Sequence, residues 1–243
     1  QLEVRAIRHA GGLSIQPLNT APVVAIGAVP EFPAFALSGS VVDDGRPSPP
    51  GAFTVTWTKR LGPGTVSFSD AASLNPVATL SQSGHHTLRL TADDGDARTY
   101  ADTTFLAFLS PFAKWQHQQF TDGLVNPSAA LLADPDQDGL INLLEFAFAT
   151  APSAANASPV IHDFTEHQGE RYLYLEVPKN PAATHLTYQV EASSDLAGTG
   201  GWTTQGLIVE INTATLLRVR DHVPLSSGLP RFMRVTVFPS GGQ

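Results

Sequence analysis

The stretch DPDQDGLINLLE (134–145) sets carboxylates at Asp134, Asp136 and Asp138, then Gly139, an amide at Asn142 and a fourth carboxylate at Glu145. Oxygen donors at alternate positions converge when a backbone wraps around one point, and glycine at the sixth position allows the sharp turn. With the main-chain carbonyl of Leu140 at the seventh position, every ligand position of a twelve-residue calcium loop is filled. Ile141 is the apolar residue that tucks beneath such a loop. The chemistry expected is therefore Ca2+ held by Asp134, Asp136, Asp138, Leu140, Asn142 and Glu145, with Asn142 acting directly or through a water. Mg2+ suits the pattern less, because it demands a tighter octahedral site and keeps its waters.

Charge strengthens this reading. Carboxylates gathered within several ångströms repel by on the order of 2–4 kcal/mol per pair at an effective dielectric near 20. No lysine or arginine lies between residues 121 and 150 to offset that locally. Because the protein fills all six positions, little room is left for a substrate, and the expected role of the ion is structural.

Other chemistry is poorly represented. The chain lacks the serine-hydrolase elbow, the HExxH zinc motif, the P-loop and the dinucleotide-binding glycine motif. HDFTEH (162–167) gathers metal-type residues, but on a strand alternation would part His162 from His167, and Gln168 with Gly169 reads as a hairpin turn. His85 and His86 begin a strand and would face opposite sides. DDGR (43–46) and DDGD (93–96) could take a second cation, yet Asp-Gly clusters of this kind read first as turns. Trp57 and Trp115 are expected in cores. Trp202, in a glycine-rich tract, is the weak candidate for stacking on a sugar. No catalytic residue is expected, and the chain is read as a non-enzyme.

The elements that must position the loop belong to a β-rich chain. Among 243 residues only 15% are charged, with 20 glycines and 19 prolines, so turns are frequent. Short runs rich in Val, Thr, Leu and Phe recur between them. The net charge of −8 argues against a nucleic-acid partner. No apolar run approaches the length of a membrane span. With no cysteine, disulfides and thiol chemistry are excluded. No signal peptide is visible, and the sequence reads as a mature or excised part of something longer. A calcium loop favours a secreted or cell-surface setting, where calcium is abundant.

Four segments are expected. Residues 1–20 hold a leading strand with no evident partner, placed to be the last strand of an upstream domain, followed by HAGGLSIQPLNTAP (9–22) as a linker. Residues 21–109 alternate in FTVTWTK (53–59), TVSFS (65–69) and HTLRLTA (86–92), separated by DDGRPSPPG, GPG and DDGD, which indicates a sandwich of short strands. Residues 110–152 place Phe112, Trp115 and Phe120 at helical spacing, then the loop and a second short helix in LINLLEFAFAT. Residues 153–243 return to strands in RYLYLEVP, LTYQVEAS, TLLRVRD and RFMRVTVF.

Two resemblances follow from these motifs. LSGSVVDDG, WTKRLGPGTVSFSD and SGHHTLRLTADDG, in that order, resemble the PKD/REJ type of immunoglobulin-like domain. The Trp-bearing helix, the DPDQDGLINLLEFA loop and LTYQVEASSDL resemble the C-terminal region of many large secreted proteins of Verrucomicrobia and Planctomycetes. Dockerins and thrombospondin type 3 repeats use similar loops. A dockerin carries two, whereas one is present here. The resemblances imply a mainly β protein: two Ig-like β-sandwiches joined by a short helical segment with one EF-hand-type calcium loop. They further imply a non-catalytic spacer, stabiliser or attachment region of a larger secreted bacterial protein. Its partners would be an upstream domain of the same protein and, beyond that, a polysaccharide or cell-surface component. The alternative is a carbohydrate-binding accessory module using Trp202 or strand-face tyrosines Tyr172, Tyr174 and Tyr188.

Overall fold

Alternation along short runs produces the dominant element, and the chain is mainly β, with 43% of residues in strands and 10% in helices. The computed structural model describes residues 4–9, 12–31, 34–49, 51–196 and 201–240. They form two compact units, Gln1–Ser110 and Pro111–Gln243. Among the described residues no helix is long and apolar enough to cross a membrane.

In the first unit, β1 (Val4–His9) pairs antiparallel with β2 (Gly12–Pro17). The tract read from sequence as a linker thus supplies the partner that the leading strand lacked. The cause is legible afterwards: Leu13 and Ile15 alternate with Ser14 and Gln16, a strand period overshadowed by the surrounding Gly, Pro and Asn. Next come β3 (Val23–Ile26), β4 (Phe35–Ala36), β5 (Gly39–Val42), β6 (Thr54–Leu61), β7 (Val66–Phe68), β8 (Val77–Leu80), β9 (Gly84–Asp93) and β10 (Arg98–Ala107). They pair as β10-β9-β6, β4-β8-β7 and β3-β5, with each neighbouring pair antiparallel. Along β9, His86, Leu88, Leu90 and Ala92 are buried while the residues between them are not. Trp57 on β6 sits in the same core, 2% exposed, and its indole N–H donates to the Ser73 carbonyl at 3.1 Å. That bond matters because a buried indole without an acceptor would lose much of the benefit of burying its ring.

The second unit begins with α1 (Pro111–Gln119), whose proline occupies a first-turn position where a missing N–H costs nothing. It continues through α2 (Asn142–Phe148), β11 (Ile161–His167), β12 (Glu170–Pro178), β13 (Leu186–Ser193), β14 (Ile208–Asn212), β15 (Leu216–Pro224) and β16 (Phe232–Pro239). The strands form a four-stranded antiparallel sheet, β11-β12-β15-β14, and an antiparallel pair, β13-β16. The β11–β12 hairpin turns at Gln168 and Gly169, with φ of 53° and 82°, the left-handed pair that matches strand twist. Both helices build into the core of these strands. Trp115 packs against Phe112, Phe146 and Phe120 at ring-centroid distances of 5.3, 5.7 and 6.0 Å. Phe146 and Phe148 join Leu175, Val177 and Val219 in one apolar cluster.

The end of α2 is fastened by groups far away in sequence. Asn180 donates its side-chain amide to the Phe146 carbonyl at 2.7 Å, and the Tyr188 hydroxyl donates to the Ala147 carbonyl at 2.6 Å. These bonds satisfy carbonyls that a helix terminus leaves open. The helix then stops at Ala149, exposed and left-handed with φ of 60°. A Cβ is disfavoured there, by roughly 1 kcal/mol. Ala149→Gly should accordingly stabilise the second unit by up to about 1 kcal/mol, read as a rise in thermal midpoint. A fall in the midpoint would mean that the alanine conformation is not strained.

Candidate metal centre

The loop at 134–141 is closed at its base before any ligand is considered. The N–H of Asn142 donates to the Ala133 carbonyl at 2.8 Å, and that of Leu143 to the Leu131 carbonyl at 3.0 Å. Inside this closure the chain turns through two left-handed residues, Gln137 at φ 62° and Gly139 at φ 92°. The glycine was expected from the spacing, the glutamine was not. Backbone N–H groups hold the carboxylates in place: Gly139 donates to Asp134 Oδ2 at 3.0 Å, Leu140 to Asp138 Oδ1 at 2.8 Å, and Asp138 to Asp136 Oδ1 at 3.3 Å.

The alternation brings three aspartates together. One carboxylate oxygen each from Asp134, Asp136 and Asp138 lies within 4.8 Å of the others. Glu145 is not part of that close group, but it is fully buried, and the two carboxylate oxygens it carries have no hydrogen-bond partner. Asp134 Oδ1, Asp136 Oδ2 and Asn142 Oδ1 are likewise buried and unpartnered. Every one of these atoms is an acceptor, and an acceptor can be satisfied only by a donor or a cation. The residues therefore fit a hard cation, which would bind oxygen ligands and relieve their mutual repulsion.

Asn142 does more than the spacing suggests. Its amide nitrogen donates to the carbonyls of Ser128 and Ala130 at 2.8 and 2.7 Å, tying the preceding 3-10 turn (Pro127–Ala129) to the start of α2. Leu140 places its N–H on Asp138, with its side chain half-buried beside α2. The structure adds one residue that spacing could not reveal, Asn156. Its N–H donates to Asp138 Oδ2 at 2.7 Å, and its side chain to the Ala151 and Ala154 carbonyls. A local clue was the polar side chain in an Ala/Ser-rich connection, which carries no signal of its destination.

Burial first, then the charges of Asp136, Asp138 and Asp134, push the Glu145 carboxyl from 4.5 up to about 7. A carboxyl raised in the folded state contributes stability fully present below its unfolded value and lost as pH rises through about 7. In excess chelator, the wild-type protein and Glu145→Gln should therefore melt alike near pH 5. The variant should become progressively more stable than wild type toward pH 8. His185, whose half-buried imidazole is held below its ordinary value by desolvation, is common to both proteins and cancels in the difference. A gap between the two melting curves that stays constant with pH would exclude the titration of Glu145.

No protein-family model matches the chain. Among solved structures, it is similar to an endo-fucoidan hydrolase from glycoside hydrolase family 107 at 10% identity and a TM-score of 0.20. That alignment covers 98% of this chain and 37% of the enzyme's, so the chain spans about a third of its length. A likeness this slight carries no argument about fold or activity.

The remaining candidates do not gather into a site among the described residues. His162 and His167 lie on β11 an odd number of residues apart, and both are exposed. His85 is exposed while His86 is fully buried, stacked on Phe105 with its Nε2 against the Gln82 carbonyl at 3.0 Å. Asp43, Asp44, Asp93 and Asp94 accept from N–H groups two residues on, at 2.9 to 3.0 Å, the geometry of local turns. Trp202 is half-buried, with the Arg234 guanidinium 4.4 Å from its ring centre. Arg220 covers Tyr172 at 4.5 Å and Arg218 covers Tyr174 at 4.0 Å. Glu210 and Glu176 pair with these arginines, so the aromatic faces are capped by an ion-pair ladder.

Proposed function

We propose that the chain is a non-catalytic, calcium-stabilised accessory region of a larger secreted bacterial protein, acting as spacer or attachment module. In this reading each unit is an immunoglobulin-like β-sandwich, the first of PKD/REJ type. Residues 134–145 form an EF-hand-type loop that holds Ca2+ through Asp134, Asp136, Asp138, Leu140, Asn142 and Glu145. The observation that carries it is the set of five buried acceptor oxygens without partners, all on residues at ligand positions of the loop. Their placement supports a structural ion: the loop leads straight into α2, whose aromatic residues belong to the core of the second unit.

Sugar binding is the less supported reading, because stacking on a pyranose needs an open aromatic face. Trp202, Tyr172 and Tyr174 each lie under a guanidinium. The experiment is calorimetric titration with Ca2+ and Mg2+, beside pull-down on insoluble glycans and turnover assays on glycosidic, ester and phosphoester substrates. One calcium per chain, with weaker Mg2+ binding and no turnover or glycan retention, is the expected result. Glycan retention lost in a folded Trp202→Ala protein would replace this reading with the carbohydrate-binding one. Turnover lost on changing His162 or His167 would replace it with an enzyme.

A further inference from the structure

A cavity of about 540 Å3 opens beside α2 in the second unit. Phe148 and Leu175 are buried beneath it, and Leu144, Leu173, Met233 and Val235 form apolar walls that remain half-exposed. The size falls inside the range of small-molecule sites, which runs from about 300 to 1,000 Å3. Apolar walls of this extent left in water forgo the free energy of burial, which an apolar occupant would recover.

The polar lining has one sign. Ser158, His162, Arg231 and Arg234 contribute to it, and among the described residues no carboxylate does. Arg231 is engaged with the fully buried Asp221, donating from Nε at 2.6 Å and Nη2 at 3.0 Å. Arg234 is different: Nε donates to Glu191 at 2.8 Å, and its terminal nitrogens have no hydrogen-bond partner among the described residues. A planar guanidinium with two open donors at the edge of an apolar cavity matches a carboxylate in shape and charge.

We propose that this cavity binds one free amphipathic carboxylate. The hydrocarbon tail lies against Leu173, Leu175, Met233 and Val235, and the head group meets Arg234. The inference does not rest on the cation, and its test is run in saturating Ca2+ so that loop occupancy is constant.

The probe is the fluorescent sulfonate 1-anilinonaphthalene-8-sulfonate on the full chain, displaced by dodecanoate or by uncharged dodecanol. Saturation at one dye per chain is expected, with dodecanoate displacing it at least tenfold more effectively than dodecanol. Arg234→Gln should erase that preference, and Val235→Trp should abolish binding of both. Should Val235→Trp lower the melting midpoint, Ser158→Trp at the exposed rim serves instead, blocking the mouth without touching the core. Dye binding that does not saturate, that survives both tryptophan variants, or that shows no preference for the carboxylate overturns the proposal. So does co-sedimentation with anionic vesicles that soluble dodecanoate fails to reverse, which would assign the face to a membrane surface.

Discussion

Millimolar calcium should raise the melting transition of the second unit by roughly 10 °C over the chelated protein, and leave the first unit nearly unchanged. The magnitude follows from mass action. A ligand at a hundred times its dissociation constant adds roughly 2.7 kcal/mol to the folded state, against a typical domain stability of about 5–15 kcal/mol. Relief of repulsion acts in the same direction, since Asp134, Asp136 and Asp138 place oxygens within 4.8 Å of one another beside the buried Glu145. The effect concentrates in the second unit because α2, which carries Glu145, also carries Phe146 and Phe148 of its core. Asp134→Ala combined with Glu145→Gln should remove the calcium response, and protease cleavage between residues 121 and 151 should rise in chelator. Identical melting curves and digestion patterns with and without chelator would reduce the loop to a turn.

Asn142→Asp should destabilise the second unit by about 2–4 kcal/mol even with calcium saturating. If Asn142 were a ligand and nothing more, adding a negative charge would tighten calcium binding and stabilise the protein. Its amide nitrogen, however, serves the Ser128 and Ala130 carbonyls at 2.8 and 2.7 Å, and the residue is fully buried. Aspartate would present an oxygen to two carbonyl oxygens, a repulsive contact in place of two hydrogen bonds. Losing a hydrogen bond costs about 0.5–1.5 kcal/mol net, and here two are lost while an oxygen–oxygen repulsion is added. Asn142→Ala should fall by a similar amount, since it loses the same two bonds. An aspartate variant that melts at or above wild type, with tighter calcium binding, would show that the clamp is negligible.

These predictions divide along the boundary between local and distant information. The mainly β character, the turn at Gln168 and Gly169, the burial of Trp57 and the approach of three alternating aspartates were legible in the residues themselves. Each depends on backbone period or on a few consecutive φ and ψ angles, which neighbouring residue types control directly. The partner of β1 was also local, but its pattern was hidden by turn-forming neighbours. What only the tertiary structure decided is where groups distant in the chain come together. Asn180 and Tyr188 fasten α2 from 34 and 41 residues away, and Asn156 reaches back 18 to Asp138. Arginines on β15 and β16 cover aromatic rings that the sequence left as open stacking surfaces. The order β11-β12-β15-β14 has the same origin. Several short apolar strands could pair with one another at nearly equal local cost. The arrangement that buries the most apolar area while pairing most buried polar groups is selected by the whole core, not by any one segment.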